Sequence, residues 1–263
     1  MKRRFDLVLC DVDGCLTAES TEPFDLEHLA LVAAHNRRAQ SQGDRPVLTP
    51  CTGRPQPFAE AICRLTANQS VPAVCENGVW LYHPGPNIYE LDPTIRPDHL
   101  SAVQSLREWL LSRFGPEGAE REGRGVSLQP GKHASVSVYH PSVEYVRALH
   151  ERLKAEIPAA FRGTDSPIFR VSMTERYINC DLAHVSKATG IERLLRHAAA
   201  PRERLAGIGD MPSDLAIRDR VAFFACPSNA DESIQRVADY ISPYAEAKGV
   251  VDLLAEHGLK RGE

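Results

Sequence analysis

The 263-residue sequence has little of what marks several specialised classes of protein. Only 6% of its residues are aromatic, and it has three methionines, two tryptophans and no long run of charge of either sign. No stretch approaches the roughly 18 apolar residues that a membrane-spanning helix needs. Lysine and arginine number 31 against 35 aspartates and glutamates, a formal net charge of −4. Because nucleic acids are bound by basic surfaces, we expect neither a nucleic-acid nor a membrane partner.

The cysteines follow no pattern typical of a disulfide framework or a zinc site. There are seven, an odd number, with no Cys-x-x-Cys pair, and most lie inside apolar runs. Such cysteines are typical packing residues of a reduced protein. The basic N-terminus leads into a short apolar stretch that contains Asp6, unlike a secretory signal, so we expect a cytoplasmic protein.

What the sequence does have is an alternation of short apolar segments with segments of helical periodicity at both ends of the chain. This alternation predicts an α/β fold with a Rossmann-like core, in which helices flank a parallel sheet. The hydrophobic content of 43% and charged content of 25% fit an ordinary globular protein. The predicted core strands are residues 5–10, 46–50, 71–75, 205–208 and 221–225. The predicted core helices include residues 57–67 and segments that begin near 187, 212, 230 and 249.

The alternation is interrupted in the middle of the chain. A turn-rich hairpin over residues 79–91 is followed by a predicted helix at 98–113, a strand at 131–140, a helix at 142–156 and two more strands. These elements predict an inserted α+β domain at residues 84–183. The core domain would then consist of residues 1–83 and 184–263.

Four groups of polar residues follow predicted strands or begin predicted helices. Taken singly, each group is equally typical of a turn, a helix cap or a solvated surface. The carboxyl ends of parallel strands, however, form the ligand site of open α/β sheets, so together they predict a site for a phosphate and a metal. The groups are Asp11 and Asp13 in Asp-x-Asp-Gly, Thr52 and Gly53 in Thr-Gly-Arg, Lys187, and Asp210 and Asp214 in Gly-Asp-x-x-x-Asp.

In their order these groups resemble the four motifs of the haloacid dehalogenase superfamily of phosphatases. Asn77 in Glu-Asn-Gly, Asn229 in Ser-Asn-Ala and the insertion between the second and third motifs resemble the Cof-type, sugar-phosphatase-like branch, in which the insertion is a cap domain. Two positions depart from the pattern of the family. Cys15 stands where a threonine is common, and Ser213 stands where an asparagine is usual.

The resemblance implies a Mg²⁺-dependent phosphomonoester hydrolase that works through an aspartyl phosphate. Asp11 would be the nucleophile, Asp13 the general acid and base, and Thr52, Gly53 and Lys187 the phosphate-binding residues. The implied metal ligands are Asp11, Asp13, Asp210 and Asp214. Candidate substrate-binding residues are Arg54, Asn77, His133, Arg176 and Asn229.

A cap that closes over the site would restrict the substrate to a small phosphorylated metabolite, such as a sugar phosphate or an acid of the phosphoglycerate or phosphoglycolate type. We expect a monomer or a small homo-oligomer. Two alternatives stay open: a phosphosugar mutase of the same superfamily, and a non-catalytic module that binds a phosphorylated ligand. No Gly-x-Gly-x-x-Gly follows the first strand, which excludes a Rossmann dinucleotide binder.

Overall fold

The computed structural model describes residues 4–18, 22–163, 167–174 and 176–255, and the chain divides into two compact units. The first unit consists of Met1–Glu90 and Lys187–Glu263, and the second is Leu91–Ser186. The sequence placed the inserted domain at 84–183. Residues 84–90 belong to the first unit because they form the turn and most of the strand Ile88–Leu91. That strand pairs with the strand Trp80–His83 of the same unit.

Strands and helices alternate along the chain, and the bounds that follow cover both units. The strands are β1 (Leu7–Cys10), β2 (Val47–Pro50), β3 (Ala73–Cys75), β4 (Trp80–His83), β5 (Ile88–Leu91), β6 (Ser127–Leu128), β7 (Ser135–Tyr139), β8 (Phe169–Met173), β9 (Tyr177–Leu182), β10 (Leu205–Ile208), β11 (Phe223–Cys226) and β12 (Tyr240–Ile241). The α-helices are α1 (Leu26–Gln42), α2 (Gln56–Leu65), α3 (Pro97–Phe114), α4 (Val143–Ala160), α5 (Lys187–Ala198), α6 (Leu215–Arg218), α7 (Glu232–Gln235) and α8 (Glu246–Ala255).

The centre of the first unit is a five-stranded parallel sheet with the order β12-β11-β10-β1-β2. Every residue of β1 is buried, as expected for a parallel strand covered on both faces. Val8 and Cys10 belong to one hydrophobic cluster, and Leu7 and Leu9 belong to another. Because alternate residues of a strand face opposite sides of the sheet, the two clusters form the cores of its two faces. The predicted α/β class is confirmed.

The segment predicted as a third core strand has a different partner. β3 pairs antiparallel with β4 in a small sheet of order β3-β4-β5, and a single parallel bridge between Cys51 and Val74 links it to the end of β2. The reversal follows from the turn after β3, where Glu76 and Asn77 both adopt left-handed backbone conformations with φ of 49° and 52°. The chain therefore folds back on β3 immediately.

The second unit contains a four-stranded sheet of order β6-β7-β9-β8, in which β7 pairs antiparallel with β6 and β9, and β9 pairs antiparallel with β8. Helix α3 packs against β7 and α4 packs against β8. Each helix buries an apolar stripe, with Leu106 and Leu110 on α3 and Leu149 and Leu153 on α4. The unit is thus built from antiparallel strands and two long helices.

All seven cysteines lie among the described residues, and all are buried free thiols. Within the described ranges, no helix is both long enough and apolar enough to cross a membrane.

Candidate active site

The candidate active site lies at the carboxyl ends of β1, β2 and β10. Asp11 directly follows β1, and its backbone amide donates to the carbonyl of Ile208 at the end of β10 at 3.0 Å. Thr52 lies two residues beyond β2, and its amide donates to the carbonyl of Val74 at 2.9 Å. Asp210 lies two residues beyond β10. Because these strands are parallel, their carboxyl ends bring the polar residues to one edge of the sheet.

Lys187, the first residue of α5, joins two of the sequence motifs. Its Nζ donates to Oδ1 of Asp11 at 2.9 Å and to Oδ1 of Asp214 at 2.7 Å. The exposed fractions are 6% for Lys187, 6% for Asp11 and 0% for Asp214, so the three charges meet almost out of contact with solvent. Hydrogen bonds between ionised groups in such surroundings are strong and fix the geometry of the partners.

Asp214 uses both of its carboxylate oxygens inside the protein. While Oδ1 accepts from Lys187, Oδ2 accepts from the backbone amides of Asp210 at 3.0 Å and Met211 at 3.1 Å. The side chain therefore fixes the turn that carries Asp210 and at the same time holds the ammonium of Lys187. The sequence placed Asp214 among the metal ligands, and that role stays a prediction; its contacts in the structure position Lys187 and the turn of Asp210.

The buried acids fit a divalent cation. Carboxylate oxygens of Asp11, Asp210 and Asp214 lie within 4.8 Å of one another, and all three residues are buried. Three carboxylates around the one ammonium of Lys187 leave an excess of two negative charges when all are ionised, which one divalent ion would neutralise. Oxygen ligands of this kind suit a hard cation such as Mg²⁺. All three acids are among the metal ligands that the sequence predicted.

The electrostatics of Asp11 and Lys187 agree with this interpretation. Burial raises the pKa of the Asp11 carboxyl, the charge of Asp214 raises it further, and Lys187 opposes both. Burial would lower the pKa of Lys187, but the nearby Asp11 and Asp214 outweigh it and raise that pKa. Lys187 therefore stays protonated, and a cation bound between the acids would favour the ionised form of Asp11.

Asp13 is held by Arg54, the third residue of the Thr-Gly-Arg sequence. Nε of Arg54 donates to Oδ2 of Asp13 at 2.9 Å, and Nη2 donates to Oδ1 at 2.5 Å. The guanidinium lies 5.0 Å from the ring centroid of Phe58, and the backbone amide of Arg54 donates to Oγ1 of Thr52 at 3.0 Å. A bidentate salt bridge of this kind fixes both the position and the orientation of the carboxylate. The sequence had made Arg54 a candidate for substrate binding.

Two asparagines predicted to bind substrate have defined partners in the loops. A Cβ built on Gly53 would lie 2.9 Å from Oδ1 of Asn77, so the glycine permits this close approach. Nδ2 of Asn229 donates to the carbonyl of Gly14 at 2.9 Å, and its Oδ1 accepts from the amide of Glu246 at 2.9 Å. Asn229 thus ties the loop after β1 to the start of α8.

Two of the predicted substrate-binding residues belong to the second unit, whereas Cys15 contacts an acid of the first. His133 and Arg176 are exposed residues of the second unit, and their role in substrate binding stays a prediction. Sequence reasoning did not foresee a role for Cys15, whose thiol donates to Oδ1 of Asp210 at 3.5 Å. The replacement of the family's threonine by Cys15 was the signal available in the sequence.

The fold and the site define an α/β enzyme core with buried carboxylates and a lysine at its strand ends. The family model described as haloacid dehalogenase-like hydrolase matches residues 133–254. A haloacid dehalogenase-like hydrolase from Bacteroides thetaiotaomicron superposes with a TM-score of 0.68 at 16% identity, over 95% of this chain and 98% of that one. Residues 133–254 thus match the family that the motifs resemble, and the solved hydrolase shares the fold of the whole chain.

Curated proteins that are similar in sequence include two phosphoglycolate phosphatases. Phosphoglycolate phosphatase 1 of Saccharolobus solfataricus is 34% identical over 77 residues, which span 29% of this chain and only 33% of the length of that relative. Phosphoglycolate phosphatase of Sulfolobus acidocaldarius is 24% identical over 251 residues, 94% of each chain. Hydrolases of this family generally use a divalent metal ion, in agreement with the buried acids described above.

Proposed function

We propose that the protein is a Mg²⁺-dependent phosphomonoester hydrolase that forms an aspartyl phosphate on Asp11. The observation that carries the proposal is the contact of Lys187 with both Asp11 and Asp214, at 2.9 and 2.7 Å, in a buried cluster with Asp210. This arrangement combines a carboxylate nucleophile, a fixed cation and ligands for a metal ion. These are the groups that a phosphoryl transfer between anions requires.

In the first step an oxygen of Asp11 attacks the phosphorus of the substrate, and the bond from phosphorus to the ester oxygen breaks. Asp13 enters this step protonated and gives its proton to the leaving oxygen. Mg²⁺ held by Asp11, Asp210 and the backbone carbonyl of Asp13 would supply charge neutralisation between the nucleophile and the phosphate. An ammonium has three N–H donors. Since Asp11 and Asp214 accept two of those of Lys187, the third is available to a phosphoryl oxygen.

In the second step water attacks the phosphorus of the aspartyl phosphate. The carboxylate of Asp13 takes a proton from the water, the bond from phosphorus to Asp11 breaks, and inorganic phosphate leaves. Arg54 supports this step because its two hydrogen bonds hold the carboxylate of Asp13 in a fixed position and orientation. The hydroxyl of Thr52, which accepts from the amide of Arg54, can donate its own proton to the phosphate.

The proposed substrate is a small phosphorylated metabolite. The relatives from Saccharolobus and Sulfolobus are both named phosphoglycolate phosphatases, which makes phosphoglycolate the first substrate to test. Phosphoglycerates and sugar phosphates follow, since the proposed roles of the groups at the strand ends involve only the phosphoryl group and its ester oxygen.

The test is the release of inorganic phosphate from phosphoglycolate, phosphoglycerates, sugar phosphates and nucleotides, with and without Mg²⁺. Asp11→Asn serves as the blank, and Asp219→Asn, a change at an exposed aspartate paired with Arg218, is the matched control. We expect Mg²⁺-dependent release by the wild type and the control, and none by Asp11→Asn. Equal release by Asp11→Asn, or transfer of phosphate within a sugar without release, would overturn the proposal.

A further inference from the structure

Another cluster of metal-ligating side chains lies in the first unit and takes no part in the proposed reaction. His83, Glu90 and His197 place one ligand atom each within 4.8 Å of the others. Nε2 of His83 lies 3.0 Å from Oε2 of Glu90, and Nε2 of His197 lies 3.0 Å from the same oxygen. The two imidazoles therefore direct the same ring nitrogen at a single carboxylate oxygen.

Three elements hold the cluster in place. His83 ends β4, Glu90 lies on the neighbouring strand β5, and His197 lies in the last turn of α5. The ring centroids of the two histidines are 4.9 Å apart in an edge-to-face arrangement. The carbonyl end of a helix carries a partial negative charge, so the end of α5 favours a cation at this position.

Arg193, one helical turn before His197, orients the carboxylate. Its guanidinium donates to Oε1 of Glu90 at 3.2 Å, to the backbone carbonyl of Glu90 at 2.9 Å and to the carbonyl of Gly78 at 3.0 Å. Oε1 is thereby held, while Oε2 faces the imidazoles. Outer hydrogen bonds of this kind commonly orient the ligands of metal sites.

The charge of Glu90 also suits a ligand. Burial would raise the pKa of this carboxyl, but the hydrogen bonds from Arg193 and His83 outweigh burial and lower it. Glu90 is therefore ionised at neutral pH, as a metal ligand must be. The exposed fractions of the side chains of His83, Glu90 and His197 are 18%, 35% and 45%, so an ion can reach them from solvent.

We propose that His83, Glu90 and His197 form a binding site for a transition-metal ion, with Zn²⁺ as the preferred ligand, separate from the carboxylate site at the strand ends. Two imidazoles and one carboxylate are the protein ligands of open zinc sites, which leave a further position for water. Imidazole nitrogens favour Zn²⁺ over Mg²⁺, which prefers oxygen ligands in octahedral geometry. The two sites thus select different ions.

The proposed ion would cross-link segments that are far apart in sequence. His83 and Glu90 come from the segment that precedes the second unit, and His197 comes from the segment that follows it. The ion would fasten the end of α5 to β4 and β5, and α5 carries Lys187 at its beginning. Since an ion that binds only the folded state stabilises that state, zinc should raise the unfolding temperature of the protein.

The test compares zinc binding by the full-length wild type with that by the His83→Ala/His197→Ala variant, by calorimetric titration in the presence of excess Mg²⁺. His99→Ala/His184→Ala is the matched control, because these two histidines of the second unit also stack, with ring centroids 4.6 Å apart. We expect the wild type and the control to bind one more equivalent of Zn²⁺ than the His83→Ala/His197→Ala variant. The extra equivalent should also raise the unfolding temperature.

A milder substitution keeps the test valid if the double variant folds poorly. Glu90→Gln retains the shape of the side chain and its contact with Arg193, and it should weaken binding of the extra Zn²⁺ at least about tenfold. A Co²⁺-loaded wild type should show visible absorption of a tetrahedral site that Glu90→Gln reduces. Equal zinc binding by the wild type and all variants, or no extra equivalent in the wild type, would overturn the proposal whether or not the protein is a phosphatase.

Discussion

Gly14 and Asp210 lie so close together that no side chain fits at position 14. A Cβ on Gly14 would lie 2.1 Å from Oδ2 of Asp210, and the glycine has a φ of +77°. Asn229 holds the carbonyl of Gly14 from the other side at 2.9 Å. The glycine of Asp-x-Asp-Gly therefore lets a proposed metal ligand rest against the loop that carries Asp11 and Asp13.

Gly14→Ala should abolish most of the activity, because the added methyl group must displace Asp210 from the site. We expect kcat/KM to fall at least about 100-fold, the loss typical of removing one electrostatic contact to the transition state. The measurement is the rate of phosphate release as a function of Mg²⁺ concentration. The variant should need more Mg²⁺ than the wild type to reach half of its maximal rate.

Gly43→Ala is the matched control for this change. Gly43 also has a positive φ, +63°, at the end of α1, but a Cβ there would meet nothing within 4 Å. The variant should lose about 1–2 kcal/mol of stability from backbone strain and keep its kcat/KM. Equal losses of activity in the two variants would show that strain alone, and not the displacement of Asp210, explains the result for Gly14.

Asp214→Asn should reduce kcat at least about 100-fold. The ammonium of Lys187 would lose one of its two carboxylate partners, and the amide could turn an N–H group toward the backbone amides of Asp210 and Met211. Steady-state kinetics provide the measurement. Ser213→Ala, an exposed neighbour in the same turn, should retain wild-type rates; a rate for Asp214→Asn close to that of Ser213→Ala would contradict the positioning role.

Arg54→Lys should lower kcat about 10- to 100-fold and change KM little, since lysine cannot make the bidentate salt bridge that holds Asp13. Arg38→Lys is the control: Arg38 binds Asp44 through Nε and Nη2 on the exposed surface, at 3.0 and 2.7 Å. An unchanged kcat in Arg54→Lys would argue against this role.

A surface ion network in the second unit predicts a pH-dependent stability. Arg113 and Arg152 both bind Glu120, and their hydrogen bonds lower the pKa of this exposed carboxyl from 4.5 to about 2. A lowered pKa in the folded state gives stability that is present above pH 4.5 and is lost as the pH falls toward 2.

Glu120→Gln should therefore unfold at a lower temperature than the wild type at neutral pH, and the difference should shrink as the pH falls below 4.5. Thermal unfolding followed by circular dichroism at several pH values measures it. The effect should be small, because both partners lie at the surface and salt screens them. A difference that stays constant over the whole pH range would assign the loss to packing and not to the charge of Glu120.

Much of the core and of the proposed site could be predicted from the sequence, because the informative features are local. The apolar run of β1 ends directly at Asp11, and the motifs of Thr52 and Asp210 likewise follow strands. The topology of a parallel sheet is therefore enough to bring these three residues to one edge. The contact of Lys187 with Asp11 joins residues 176 positions apart, and the resemblance to the family had implied a shared site for them.

Other features depend on distances that no local pattern contains. The strand before Glu76 looked like part of the parallel sheet, but two left-handed residues turn the chain back and place β3 beside β4. The contact between Cys15 and Asp210 and the cluster of His83, Glu90 and His197 join segments separated by more than 100 residues. Isolated histidines and glutamates are common on protein surfaces, so only the structure shows that these side chains meet.

The most direct test of the central claim is to trap the covalent intermediate on Asp11. The enzyme would be mixed with Mg²⁺ and its best substrate, quenched in acid during turnover and treated with borohydride, which reduces an aspartyl phosphate to homoserine. Mass spectrometry of the peptide that contains residues 5–18 should find homoserine at position 11 and unmodified Asp13. Turnover without any modification of Asp11, or modification at Asp13 instead, would contradict the proposed mechanism.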